Sequence, residues 1–134
     1  MLCEGGNQMR ILLVQPGCKP VAAEIDGVLK TMQDLVGGYI QAIYPFDDFV
    51  ALVCNDEGRL LGLPLNRALR DENGSVYDII CGDFFVCGLS DDNFASLTDE
   101  QLQQYTEMYA TPEIFLNMGG RTIILPVQED TESG

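Results

Sequence analysis

Histidine is absent from this 134-residue chain, lysine and arginine together number only 7, and the cysteines form an odd set of 5. Without histidine, the side chain most often used as a general base near neutral pH and as a transition-metal ligand is missing. A serine or cysteine nucleophile would also lack its commonest partner. Seven bases against 21 acids leave a net charge of −14, which argues against direct nucleic-acid binding, because neutralising phosphates takes clustered lysine and arginine. Anionic membrane surfaces are disfavoured for the same reason.

Long apolar runs are missing too. The longest are Ile11 to Val14 and Phe49 to Cys54, far short of the roughly 18 residues a membrane-spanning helix needs. Upstream of Met9 there is neither the basic start nor the apolar stretch of a secretion signal, so residues 1–8 are expected to be a flexible leader. Cys3, Cys18, Cys54, Cys81 and Cys87 contain no Cys-x-x-Cys pair, which points to reduced thiols and a cytoplasmic setting. Cys54, Cys81 and Cys87 lie in strand-like runs, where a free cysteine acts as a small buried hydrophobe.

What is present reads as one α+β domain over residues 9–127, followed by a disordered acidic tail at 128–134. Arg10 to Val14 is apolar on both faces, as in a central strand, and the turn residues Pro16 and Gly17 lead to a partner strand at Val21 to Ile25. Asp26 is placed to cap a helix bearing Val28, Met32, Leu35 and Val36, which Gly37 and Gly38 end. Strands are expected at 39–44, 49–54 and 59–63, the last two joined by a type I turn over Asn55 to Gly58. Pro64 to Arg70 is expected to form a short helical turn. Asp71 to Ser75 is a loop, with strands at 76–81 and 84–87 beyond it. Thr98 and Gln101 match a capping box, and Leu97 with Leu102 a hydrophobic staple, for a helix that buries Leu102, Tyr105 and Tyr109. Thr111-Pro112 would open a second helix, ended by Gly119-Gly120, with a last strand at 122–127. The order predicts a largely antiparallel sheet with helices on one face and a ββα opening that could be β-grasp-like.

Asp26-Gly27, Leu35 to Ile40, Asn55 to Gly58, Leu61 to Arg67, Gly82-Asp83 and Ser96 to Gln101, taken in order, resemble the bacterial and phage domain-of-unknown-function family 3846. The likeness runs from about Met9 to Tyr105. It implies a cytoplasmic accessory protein of a bacterial mobile element or phage, and it implies no assigned activity or catalytic residue.

Four polar residues of the turn motifs, Asn55, Glu57, Asn66 and Arg67, are the candidate ligand-binding residues, since loops on a rigid sheet commonly hold binding groups. Their bland roles are shaping turns, capping backbone and neutralising acids. The acidic pairs Asp47-Asp48, Asp56-Glu57, Asp71-Glu72 and Asp91-Asp92 fit no calcium-loop spacing and read as solvated acids. Tyr39 and Tyr44 could line a cleft, but strand aromatics more often pack across strands. No catalytic residue, metal ligand or cofactor is expected. The leading expectation is a noncatalytic binding protein whose partner is a protein or a small anionic ligand. An acidic DNA mimic acting on a host DNA-binding protein and a device sequestering an anionic metabolite or nucleotide are the alternatives. A carboxylate-metal enzyme is the most distant.

Overall fold

The computed structural model describes residues 8–91 and 93–127. Within them lie ten strands and two short helices. The strands are β1 (Met9–Val14), β2 (Val21–Ile25), β3 (Ile40–Ile43), β4 (Val50–Asn55), β5 (Leu65–Arg70), β6 (Val76–Cys81), β7 (Phe84–Ser90), β8 (Asn93–Ala95), β9 (Glu113–Met118) and β10 (Arg121–Pro126). The helices are α1 (Leu29–Val36) and α2 (Asp99–Met108). The expected leader at 1–8, save its last residue, and the expected tail at 128–134 lie outside the described residues.

The principal sheet has six strands in the order β2-β1-β7-β4-β3, with β8 paired to the end of β7. Every ladder in it is antiparallel. Its middle strands are apolar on both faces: Ile11, Leu12 and Val14, Val50 to Val53, and Phe84 to Cys87 are all fully buried. Alternate residues point to opposite faces. Leu12, Val14, Val50, Leu52, Phe84 and Val86 therefore join one core with Tyr105 and Tyr109. Ile11, Ala51, Val53, Phe85 and Cys87 join another with Met32 and Val36 of α1.

This arrangement corrects the α+β expectation. The fold is β-rich, and the two helices contribute to separate cores on opposite faces of the sheet instead of sharing one face. Two separate hairpins, β5–β6 and β9–β10, replace helical segments expected from local signals. Leu65 to Arg70 is rich in helix formers, yet burial of Asn66 to Leu69 and pairing with β6 make it a strand, a case of tertiary context overriding propensity. Thr111-Pro112 leads into β9, where alternating Ile114, Leu116 and Met118 suit a strand. Gly119 and Gly120 form its tight turn with φ of 61° and 83°, the left-handed pair a two-residue hairpin turn requires. Residues 59–63, expected as a strand, are a turn through Gly62 followed by irregular backbone at Leu63.

Of the two helix starts, one acts as read and the other does not. The capping box of α2 is complete, with the Gln101 amide donating to Thr98 Oγ1 at 3.0 Å and the Thr98 amide to Gln101 Oε1 at 3.0 Å. The N-cap of α1 is Val28, without a side-chain cap bond, and Asp26 instead accepts from the Val28 amide at 3.0 Å. No helix among the described residues is long and apolar enough to cross a membrane.

Candidate functional site

The four candidate residues fall into two pairs with different surroundings. Asn55, at the end of β4, is buried. Its Nδ2 donates to the Val36 carbonyl at 3.0 Å, while its Oδ1 accepts from the Glu57 amide at 2.7 Å. It thus ties the end of α1 to the turn after β4. Gly58 follows in that turn, where a Cβ would stand 2.8 Å from the Cys81 carbonyl oxygen, so the backbone approach itself demands glycine. Glu57 is exposed and lines a shallow cleft of about 560 Å³ with Tyr39 and Leu61. Tyr44, the other tyrosine considered, is exposed.

Asn66 and Arg67 lie side by side in β5, both buried. Asn66 Nδ2 donates to the carbonyls of Val14 at 3.0 Å and Gly82 at 2.8 Å, linking β5 to the end of the principal sheet. Its Oδ1 accepts from Arg67 Nη1 at 3.0 Å. Arg67 is 2% exposed, and its Nη2 reaches the carbonyls of Cys18 at 2.7 Å and Tyr109 at 2.9 Å. Burial depresses its basicity, partly offset by the nearby Glu113 carboxylate. A buried cation is tolerated only where its donors are satisfied. Here the terminal nitrogens find carbonyl and amide oxygens, while Nε is buried without a partner.

Arg67 borders a cleft of about 890 Å³ bounded by β5, α2, the segment before β4 and the start of β9. The floor belongs to the aromatic core: Phe46 lies 4.7 Å from Tyr105 between ring centres, and Tyr109 stands edge-on to Phe84 at 5.5 Å. The Tyr105 hydroxyl donates to Asp48 at 2.9 Å. Desolvation pushes the Asp48 carboxyl up, but the bonds from Tyr105, the Phe49 amide and Gln101 together hold it below the ordinary value. Burial, reinforced by Asp48, pushes the Tyr105 hydroxyl well above its ordinary range, so it stays a donor.

The accessible walls are of two kinds. Tyr77 and Met108 expose 57% and 51% of their surfaces beside half-buried Phe46. Asp47, Asp71 and Glu72 are exposed at the rim. The second arginine of the cleft, Arg70, pairs with Glu113 Oε2 at 2.8 Å, and Glu113 Oε1 accepts from the Ala68 amide at 2.8 Å. Both cations are thereby engaged within the protein, leaving an apolar trough with a negative edge.

Sequence reasoning singles out Arg67 but reads Tyr105 and Tyr109 as core and the acidic pairs as solvated acids, and does not show that they meet at one cleft. Tyr77 and Met108 carry no signal of their own, being ordinary residues of a strand and a helix end until β5–β6 and α2 come together. Among the described residues, no three acidic or cysteine side chains converge as metal ligands would; Asp92 lies outside the described residues. Cys54, Cys81 and Cys87 are buried and Cys18 is exposed. Desolvation pushes the Cys54 thiol up to about 11 and the Cys87 thiol up to about 12, so both are inert thiols, as their strand positions suggested.

No curated protein and no solved structure matches the chain. A family model described as "Domain of unknown function (DUF3846)" matches residues 9–110, which covers the principal sheet, both helices and β5–β6 and stops before β9. The chain belongs to the DUF3846 family.

Proposed function

We propose that the protein is a noncatalytic binding protein whose cleft receives a basic, partly apolar segment of a protein partner. The observation that carries this reading is the division of charge around the cleft. Arg67 and Arg70 are engaged by internal acceptors, while Asp47, Asp71 and Glu72 stand exposed around Tyr77, Met108 and Phe46. A cationic side chain gains from the carboxylates and from aromatic faces, and an apolar neighbour gains from the trough. The net charge of −14 adds long-range steering toward a basic partner.

A small anion finds less here, because the guanidinium that would bind it already holds the Cys18 and Tyr109 carbonyls. The DNA-mimic reading is a special case of the same proposal, in which a basic nucleic-acid-binding protein supplies the segment. The resemblance to phage and mobile-element proteins extends the proposal to a cytoplasmic accessory role.

Binding of a fluorescent peptide of alternating lysine and leucine, compared with its glutamate and leucine counterpart, tests the reading. The lysine peptide is expected to bind, to weaken as salt screens the rim, and to lose about tenfold in affinity in Tyr77→Ala with Met108→Ala. Equal binding of both peptides, or indifference to these substitutions, would refute it.

A further inference from the structure

The β9–β10 hairpin lies beyond the family match and carries an apolar face turned to solvent. Antiparallel register sets Ile114 opposite Leu125, Leu116 opposite Ile123 and Met118 opposite Arg121, so these six side chains share one face of the hairpin. Ile114, Leu116, Met118, Ile123 and Leu125 expose between 39% and 57% of their surfaces, whereas Phe115 and Ile124 on the reverse face are half-buried. The hairpin is joined to the body at its base through Glu113 on Ala68 and Arg70, while the Val127 amide on the Pro112 carbonyl extends its own ladder by one rung. A two-stranded hairpin is marginal by itself in water. One whose outward face is apolar gains stability when that face is covered.

We propose that a second copy of this chain covers it, outward face against outward face about a two-fold axis. Charge selects this occupant. In a chain of net charge −14, residues 113–126 hold one acid, Glu113, and one base, Arg121, and Glu113 is already paired with Arg70. The stripe therefore presents no unpaired carboxylate, and its one base, Arg121, favours the approach of another acidic copy without setting carboxylates against carboxylates. A basic partner is drawn to the cleft and finds no opposite charge here. An apolar stripe is also self-complementary, as a two-fold contact requires.

Area sets the strength. Each stripe offers a few hundred Å² of apolar surface, the size of patch that marks interaction sites. Two of them bury on the order of 800 Å², less than the roughly 1,200 Å² of a stable interface. The dimer is accordingly weak and concentration-dependent.

Sedimentation equilibrium of the full chain from ~10 µM to ~1 mM tests this. The expected result is a monomer–dimer equilibrium that strengthens with added salt, because salt screens the repulsion between two acidic bodies. Leu116→Lys with Ile123→Lys should weaken association at least tenfold while leaving the amide spectrum of the principal sheet unchanged, since both side chains face solvent. Asp71→Asn with Glu72→Gln, in the cleft, should not weaken it. A monomer at every concentration, or a dimer that survives the double lysine substitution, overturns the proposal.

Discussion

Arg67 Nη2 donates to the main-chain oxygen of Tyr109 at 2.9 Å, joining β5 to the residue that ends α2 across 42 positions of sequence. The same nitrogen holds the Cys18 carbonyl of the β1–β2 turn. One guanidinium therefore fixes three segments that meet behind the cleft. Arg67→Ala would leave the Tyr109 carbonyl and Asn66 Oδ1 without this donor in a buried space, and the part-buried Cys18 carbonyl without it as well. A loss of about 3 kcal/mol or more is expected, read as a lower urea midpoint. Arg67→Lys should recover only part of it, because an ammonium cannot span the fork of acceptors. A midpoint shift of only a few tenths of a kcal/mol for Arg67→Ala would contradict the structural role assigned to Arg67.

Glu113 latches the β9–β10 hairpin to β5 through the Ala68 amide and Arg70. Glu113→Ala is expected to lower amide protection across residues 113–126, with protection in β1, β4 and β7 retained. The global cost should be about 1–3 kcal/mol, because a buried amide loses its acceptor. Unchanged exchange in the hairpin would show that the latch does not hold it.

Much of the principal sheet was legible in sequence, because Ile11 to Val14, Val50 to Cys54 and Phe84 to Cys87 are runs too apolar for any exposed face. The α2 start was legible in Thr98 and Gln101, whose reciprocal bonds are local. The segments misread were those decided at a distance. Leu65 to Arg70 has helical composition, and only pairing with β6 and the long-range bonds of Asn66 make it extended. Pro112 looked like a helix start because proline suits both a first helical turn and the entry to a strand. The site was visible only in parts: Arg67 stood out by scarcity of bases, while the contribution of Tyr77 and Met108 depends on three elements converging.

The thiols should divide sharply by exposure. At mildly alkaline pH, iodoacetamide is expected to label Cys18 in the folded protein, while Cys54, Cys81 and Cys87 become reactive only on unfolding. Peptide mapping by mass spectrometry reads this directly. Labelling of Cys87 at a rate near that of Cys18 would contradict its place in the core.

The Asp48 carboxyl is held below its ordinary 3.8 by bonds from Tyr105, Phe49 and Gln101 that together outweigh desolvation. A depressed folded value stabilises the fold above the unfolded value, and that contribution disappears as pH falls through the lower folded one. A carbon-detected NMR titration should place the Asp48 midpoint below 3.8, and Tyr105→Phe should move it upward by removing the hydroxyl donor. At the alkaline end the sign reverses. Burial raises both Tyr105 and Tyr109, so their share of stability is present below about pH 10, the ordinary tyrosine value, and is lost as pH climbs beyond it. An Asp48 midpoint unmoved by Tyr105→Phe would disprove the coupling.

In the proposed function a basic segment docks where apolar walls and exposed carboxylates meet. The most direct measurement is an amide and methyl NMR titration of the labelled protein with the lysine–leucine peptide at low salt. Shifts are expected to concentrate at Asp47, Asp71, Glu72, Tyr77 and the Met108 methyl, and to be abolished by Asp71→Asn with Glu72→Gln. Shifts spread evenly over the acidic surface, or centred on the Asn55–Glu57 turn, would contradict it.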